Sequence, residues 1–247
     1  ETQAGTYYVL AYGADVSGAP AYTLSSAVIP FSLSEVRTDT VGNSGEATLR
    51  IDGARFSEAT RFALRAPDGR LYDATRLFVE DSSRVYATFN LLLAAEGRYD
   101  VVAVQATGQT EVLNDAVTVI DDARGANLFS IIEGPRQVTI GRVNSFNLQY
   151  TNQGDGDSMA PLLIISSRSH VPIGYTGSDL RDQPIYYLGA SIDGPMDILR
   201  PDTGYTQQLL YRSPMSEGQF DIRVATLQST DSRLIDSAKW TEIEQSI

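Results

Sequence analysis

Cysteine is absent from this chain of 247 residues, and histidine and lysine each occur once, as His170 and Lys239. The absence of cysteine excludes disulfides and thiolate metal sites. A single histidine leaves no His-rich zinc site, and no serine stands in a G-x-S-x-G sequence, so a Ser/His hydrolase is disfavoured. We therefore expect a protein that is not an enzyme.

Basic residues are few, because 19 Lys and Arg stand against 31 Asp and Glu, which gives a net charge of −12. Nucleic-acid binding requires a clustered basic surface, and the arginines are scattered, so no nucleic-acid partner is expected. Long apolar runs are also absent, so we expect no membrane insertion. The first residues, ETQAGTYYVL, lack the features of a signal peptide, and we expect Glu1 to follow a cut inside a longer protein.

What the chain does contain is a series of β-branched and aromatic runs separated by clusters of Gly, Pro, Asn and Asp. Ala47, Leu49 and Ile51 alternate with polar residues, which is typical of a half-buried strand. The run from Tyr99 to Val104 is apolar on both faces, which predicts a central strand. The predicted fold class is all-β, with tandem immunoglobulin-like β-sandwiches and a short C-terminal helix.

The turn spacing divides the chain into four parts. Residues 1–30 form a predicted β-hairpin, the tail of an upstream module, and residues 31–120 form a first sandwich. The polar bridge 121–127, DDARGAN, is typical of a linker. Residues 128–247 form a second sandwich that ends in a helix, where Asp236-Ser237 would cap the helix that carries Trp240.

Three segments resemble known bacterial extracellular modules. GTYYVLAYG followed by YTL resembles the closing strands of the pre-peptidase C-terminal domain. The segment containing GNSG, TLRIDGARF, ATFNL and GRYDVVAV resembles the IPT/TIG class of immunoglobulin-like domains. VTIGRVNSFNLQYTNQGDGDSMAPLLIISS, YYLGASIDGPMDILRPDTGY and FDIRVATL resemble CARDB and APHP-like adhesion modules. These resemblances imply a non-catalytic protein that is secreted or displayed at the cell surface.

Calcium is the one cofactor that the residues suggest. Asn152, Asp155 and Asp157 place three oxygen-bearing side chains within six residues of a turn, and Asp121 and Asp122 lie in the linker. Neither group matches an EF-hand or a β-roll repeat. The alternative is that these residues form turns and carry solvated charge.

Carbohydrate binding is a second possibility, because sugar sites on β-sandwiches use exposed aromatic rings. Tyr175 lies in a long excursion after Ser169, and Tyr187 belongs to a Tyr pair whose two rings point to opposite faces of the sheet. These two tyrosines are the candidate ligand residues. The alternative is that both are ordinary tyrosines of an antiparallel sheet.

The function predicted from the sequence is therefore that of a structural or adhesive module in a large exported protein, which contacts neighbouring domains of the same chain. The alternatives are an accessory carbohydrate-binding module of a secreted hydrolase, a calcium-stabilised rod, and a self-assembling surface component. Edge strands would allow self-association or contact with a protein or glycan, with the N-terminal hairpin as the candidate for exchange.

Overall fold

The β-branched and aromatic runs form strands, as their composition favours. The computed structural model describes residues 28–121 and 124–227, together with residues 8, 10, 18 and 23. These residues form strands and no helix, so the all-β prediction is confirmed for the described part of the chain. The predicted N-terminal hairpin and the predicted C-terminal helix with Trp240 lie outside the described residues. Nor do the described residues provide a helix long and apolar enough to span a bilayer.

The strands follow one another along the chain in two groups, which we call the first β-unit (residues 31–120) and the second β-unit (residues 128–227). The first β-unit contains β1 (Ser32–Arg37), β2 (Thr40–Gly42), β3 (Glu46–Ala54), β4 (Arg61–Arg65), β5 (Leu71–Asp81), β6 (Arg84–Asn90), β7 (Gly97–Val104) and β8 (Thr110–Ile120). The second contains β9 (Leu128–Glu133), β10 (Val143–Asn152), β11 (Ser158–Met159), β12 (Leu162–Ser166), β13 (Ile173–Gly174), β14 (Ile185–Leu188), β15 (Ile198–Leu199), β16 (Thr203–Arg212) and β17 (Arg223–Leu227).

The first β-unit has the strand order β1-β3-β6-β5-β4-β7-β8-β2. The pairing is antiparallel except between β2 and β8. Strand β5 turns from one neighbour to the other, since Leu71–Asp73 pair with β4 and the residues from Ala74 onward pair with β6. Strand β7 lies between β4 and β8, which confirms the prediction of a central strand. Side chains from these strands form one apolar core around Leu49, Phe89 and Tyr99.

The second β-unit consists of three sheets with the orders β13-β16-β10-β9, β14-β12-β17 and β11-β15. Its apolar core is separate from the first and includes Leu148, Leu163, Ile165 and Leu209, all of which are fully buried. Two cores of this kind stabilise each unit mainly through its own apolar burial. The relative position of the two units is therefore determined by polar contacts between them.

Candidate functional site

The two β-units meet at a turn between β10 and β11, residues 153–157, which we call the joint turn. Asn152, at the end of β10, is fully buried and organises this turn. Its Oδ1 accepts a hydrogen bond from the Gly154 N–H at 3.0 Å, and its Nδ2 donates to the carbonyl oxygens of Gly156 and Leu199 at 2.8 and 3.0 Å. The amide side chain thus closes the turn on itself and ties it to β15.

Asp155 binds the linker between the units. Its two carboxylate oxygens accept hydrogen bonds from the N–H groups of Arg124 and Gly125, each at 2.8 Å. The backbone adds two further bonds, because the Asp155 N–H donates to Gly125 O and the Gln153 N–H donates to Asn127 O. Residues 124–127 of the linker are therefore paired with the joint turn.

Asp157 joins the turn to β3 of the first β-unit. Its Oδ1 accepts from the Thr48 N–H at 2.9 Å, and its Oδ2 accepts from the Thr48 hydroxyl at 2.6 Å. The Asp157 N–H donates to Glu46 O, and the Gly42 N–H donates to Asp155 O. Four hydrogen bonds therefore cross directly from the joint turn to the first β-unit.

The environment of Asp157 changes its acidity. Burial is the main cause and raises the pKa of the Asp157 carboxyl to about 6. The hydrogen bonds from Thr48 and the charge of Arg200 act in the opposite direction without cancelling the rise, and the Glu46 carboxylate adds to it.

A second contact between the units lies in the loop before β15. Tyr86 of β6 donates its hydroxyl to Asp193 at 3.2 Å, and the Arg200 guanidinium lies 4.7 Å from the centre of the Tyr86 ring. Arg200, which is buried, also bonds Asp193 at 2.8 Å, and the Tyr205 hydroxyl donates to the same carboxylate. Gly194 has a φ of 79° and touches the Tyr86 ring, since a Cβ at this position would lie 2.8 Å from the ring.

Electrostatics support this second contact. Burial alone would raise the pKa of Asp193, but the Tyr205 hydrogen bond and the charge of Arg200 outweigh burial, so the pKa is lowered. An ion pair of 2.8 Å joins Arg76 of the first β-unit to Asp197 of the second, and the Thr38 hydroxyl donates to Pro201 O. Together with the joint turn, this loop contacts the first β-unit at a second place.

The predicted calcium ligands Asn152, Asp155 and Asp157 all lie at this joint, and hydrogen bonds engage their side-chain oxygens. Asp121 is exposed and accepts a hydrogen bond from Asn43 at 2.7 Å, whereas Asp122 lies outside the described residues. No group of three or more His, Asp or Glu side chains suited to a metal ion occurs in residues 28–121 and 124–227. Calcium binding by the Asn152 set, which includes an amide, stays a prediction.

The two candidate carbohydrate ligands are neighbours in the second β-unit but have different surroundings. Tyr175 is 41% exposed, and burial raises its pKa, with the nearby Tyr187 adding to the rise. Tyr187 is half-buried, its ring packs 5.7 Å from that of Tyr150, and the two hydroxyls are 3.3 Å apart. Tyr175 is therefore the more accessible ring of this pair, although more than half of it is covered, and sugar binding stays a prediction.

The single histidine makes a hydrogen bond at the surface. His170 Nδ1 lies 2.9 Å from Asp182 Oδ2, and the histidine side chain is 81% exposed. Sequence reasoning gave no role to Thr48, Tyr86 or Arg200, which complete the joint. The signal that could have found Thr48 is weak, since a threonine on the polar face of a strand is common.

Comparisons with known proteins do not assign this arrangement. No family model matches the chain, and no curated protein matches it. Among solved structures, a DUF4785 family protein from Legionella pneumophila is similar at 10% identity with a TM-score of 0.28. That match covers 79% of this chain and 46% of the other.

The close approach at Gly154 gives a first prediction. A Cβ at residue 154 would lie 1.9 Å from Gly125 O and 2.6 Å from the Asn127 nitrogen, so Gly154→Ala must push the linker away from the joint turn. We expect a loss of about 1–3 kcal/mol in the free energy of unfolding, as for other overpacked sites. Urea unfolding of the parent and the variant measures this loss in the free energy of unfolding. Gly45→Ala, where a Cβ meets nothing within 4 Å, is the matched control, and equal losses for both variants would contradict the prediction.

The raised pKa of Asp157 gives a second prediction. The folded state binds this proton more tightly than the unfolded state, so the stability that the proton adds is present below about pH 4 and is lost as the pH rises through about 6. Asp157→Asn cannot titrate. The free energy of unfolding of the parent chain should therefore rise relative to that of the variant by about 1 kcal/mol between pH 7 and pH 5. A constant difference, or a fall, would show that the pKa is not raised.

Proposed function

We propose that the chain is a non-catalytic structural element of a large secreted or cell-surface protein. It consists of two immunoglobulin-like β-sandwich modules, IPT/TIG-like and then CARDB/APHP-like, that act as a spacer or a protein-contact element. The observation that carries the proposal is the joint, where the linker pairs with the joint turn and the two β-units bond each other directly. The motif resemblances support the exported, multidomain setting.

A spacer transmits position only if its parts keep a constant angle. One contact between two bodies leaves a pivot, whereas two contacts at different places restrict rotation about either of them. Here the first contact is between Asp157 and Thr48, and the second joins Asp193 and Asp197 to Tyr86 and Arg76. Arg124 and Gly125 of the linker are held to the second β-unit as well, because Asp155 accepts from their N–H groups.

No disulfide can join the two β-units, because the chain has no cysteine. Many multidomain proteins hold neighbouring domains through polar interfaces, and relative motion is expected unless the contacts are extensive. Here several of the contacts are hydrogen bonds from N–H and O–H groups to carboxylates, which are stronger than bonds between neutral groups. Loss of a carboxylate leaves those donors without a partner and should release the second unit.

Spin-label distances test this proposal directly, because the absence of cysteine makes any introduced pair of labels unique. Labels at Arg98→Cys and Gln208→Cys place one probe on an exposed strand position in each β-unit. We expect one narrow distance distribution in the parent chain and a clearly broader one when Asp155→Ala and Asp157→Ala are combined.

The matched control is Glu217→Ala, which removes an exposed acid near the start of β10, at the end of that strand opposite the joint turn, and should leave the distribution narrow. A broad distribution in the parent chain would reject the spacer proposal. The same rejection would follow if the double variant stayed as narrow as the parent while folding normally.

A further inference from the structure

Strand β9 ends its sheet, and its outer edge is unpaired among the residues that the structure describes. It pairs with β10 without any register irregularity, from Leu128 opposite Asn152 to Glu133 opposite Asn147. In the described part of the chain, no backbone hydrogen bond joins residues 128–133 to a strand other than β10. Half of the backbone donors and acceptors of β9 therefore point away from the sheet, which is the arrangement that accepts another strand.

The other strands that end sheets in the described residues are protected or short. Strand β1 contains a register irregularity and the charged residues Glu35 and Arg37, and β2 has three residues. Strands β11, β13 and β15 have two residues each and β14 has four. Strand β17 presents the exposed Arg223 and the small Ala225. These are the devices that discourage edge pairing, and β9 has only one of them, the charged Glu133 at its last position.

The outer face of β9 is apolar. Phe129 is 47% exposed and Ile131 is 39% exposed, and they are two residues apart on the same face of the strand. Their neighbours on β10 are the polar residues Thr151 and Gln149. The apolar side chains thus lie at the free edge of the sheet and not at its centre. A strand added to this edge would cover them.

The inner face beneath β9 is already occupied. The Ser130 hydroxyl lies 2.6 Å from that of Thr226 on β17, and Leu128 and Ile132 pack against the core of the second β-unit. A partner therefore reaches β9 from its edge or from its exposed outer face, and not from the inner face. The strand is held in its extended form before any partner arrives, which reduces the entropic cost of pairing.

We propose that this edge binds the β9 edge of a second copy of the chain, so that two four-stranded sheets join into one across a two-fold axis at Ser130. Antiparallel pairing about Ser130 places Phe129 opposite Ile131 of the other copy, and the reverse, on the outer face. It also places Leu128 opposite Ile132 on the inner face. Cross-strand pairs of aromatic and β-branched side chains are favourable.

The polar ends fit the same register. Glu133, the one charged residue of β9, falls opposite Asn127 of the other copy, so that no two like charges face each other. A shift of two residues in one direction would place Phe129 opposite Glu133, and in the other direction Ile131 opposite Asn127. Both shifts replace an apolar pair with a mixed one. The strand is therefore complementary to itself in one register, which argues for a second copy over an unrelated partner.

This inference does not depend on the proposed spacer function, because a flexible pair of units would carry the same edge. The proposed dimerisation should also depend on the salt concentration. Each copy carries a net charge of −12, so two copies repel each other, and salt screens that repulsion. Dimerisation should therefore strengthen as salt is added, in contrast to an association driven by opposite charges.

Sedimentation velocity of the whole chain over a range of concentrations tests the proposal. We expect a monomer–dimer equilibrium in the parent chain and an apparent dissociation constant at least about tenfold weaker in Ile131→Lys, which places a charge opposite Phe129. Asn147→Lys is the matched control. It adds the same charge to the same face one strand in from the edge, and it should dimerise like the parent.

Cross-linking tests the register. The chain has no cysteine, so Phe129→Cys and Ile131→Cys give two single-thiol proteins. Residues directly opposite in an antiparallel pair lie within disulfide distance, whereas diagonal ones are farther apart. Oxidation of the mixture should therefore yield a disulfide-linked heterodimer in preference to homodimers of either protein.

Two results would overturn the proposal. One is a parent chain that stays monomeric at all concentrations and salt levels. The other is a dimer that Ile131→Lys and Asn147→Lys affect equally, or that forms homodimer cross-links as readily as mixed ones, since its interface would then lie elsewhere or in another register.

Discussion

Two carboxylates, those of Asp155 and Asp157, accept four hydrogen bonds that join the second β-unit to the linker and to β3. Where one unit covers the other, the two donors of Thr48 lose access to water. An unsatisfied donor in such a place costs about 1–3 kcal/mol. The two units therefore pack favourably only if the second unit supplies acceptors for these donors. The joint turn brings both acceptors on three consecutive residues.

The need for hydrogen-bond acceptors explains why several residues that belong to neither apolar core are nevertheless buried. Thr48 and Thr88 are almost fully buried, and their hydroxyls are 2.7 Å apart, with Asp157 adding the next link of the chain of bonds. Tyr86 is buried on the same side of the sheet, beneath Arg200 and Gly194. Strand β6 is consequently covered on both faces, on one by its own core and on the other by the second β-unit.

The sequence predicted the strands well because period-two alternation depends on local burial. Ala47, Leu49 and Ile51 face the core as expected, but Thr48 between them is also buried. Alternation assigned Thr48 to the solvent face because nothing in residues 46–51 records the arrival of a turn more than a hundred residues later. In the same way, the pattern singled out Asn152, Asp155 and Asp157 as unusual oxygen ligands. Their partners, the linker N–H groups and Thr48, are neighbours in space only.

We infer that the joint keeps the two β-units in a constant relative orientation. Residual dipolar couplings of the amide groups measure that orientation for each unit separately in weakly aligned solution. We expect couplings from residues 31–120 and from residues 128–227 to fit a single alignment tensor. Two tensors of different magnitude or axis in the parent chain would show that the units reorient independently, and would contradict it.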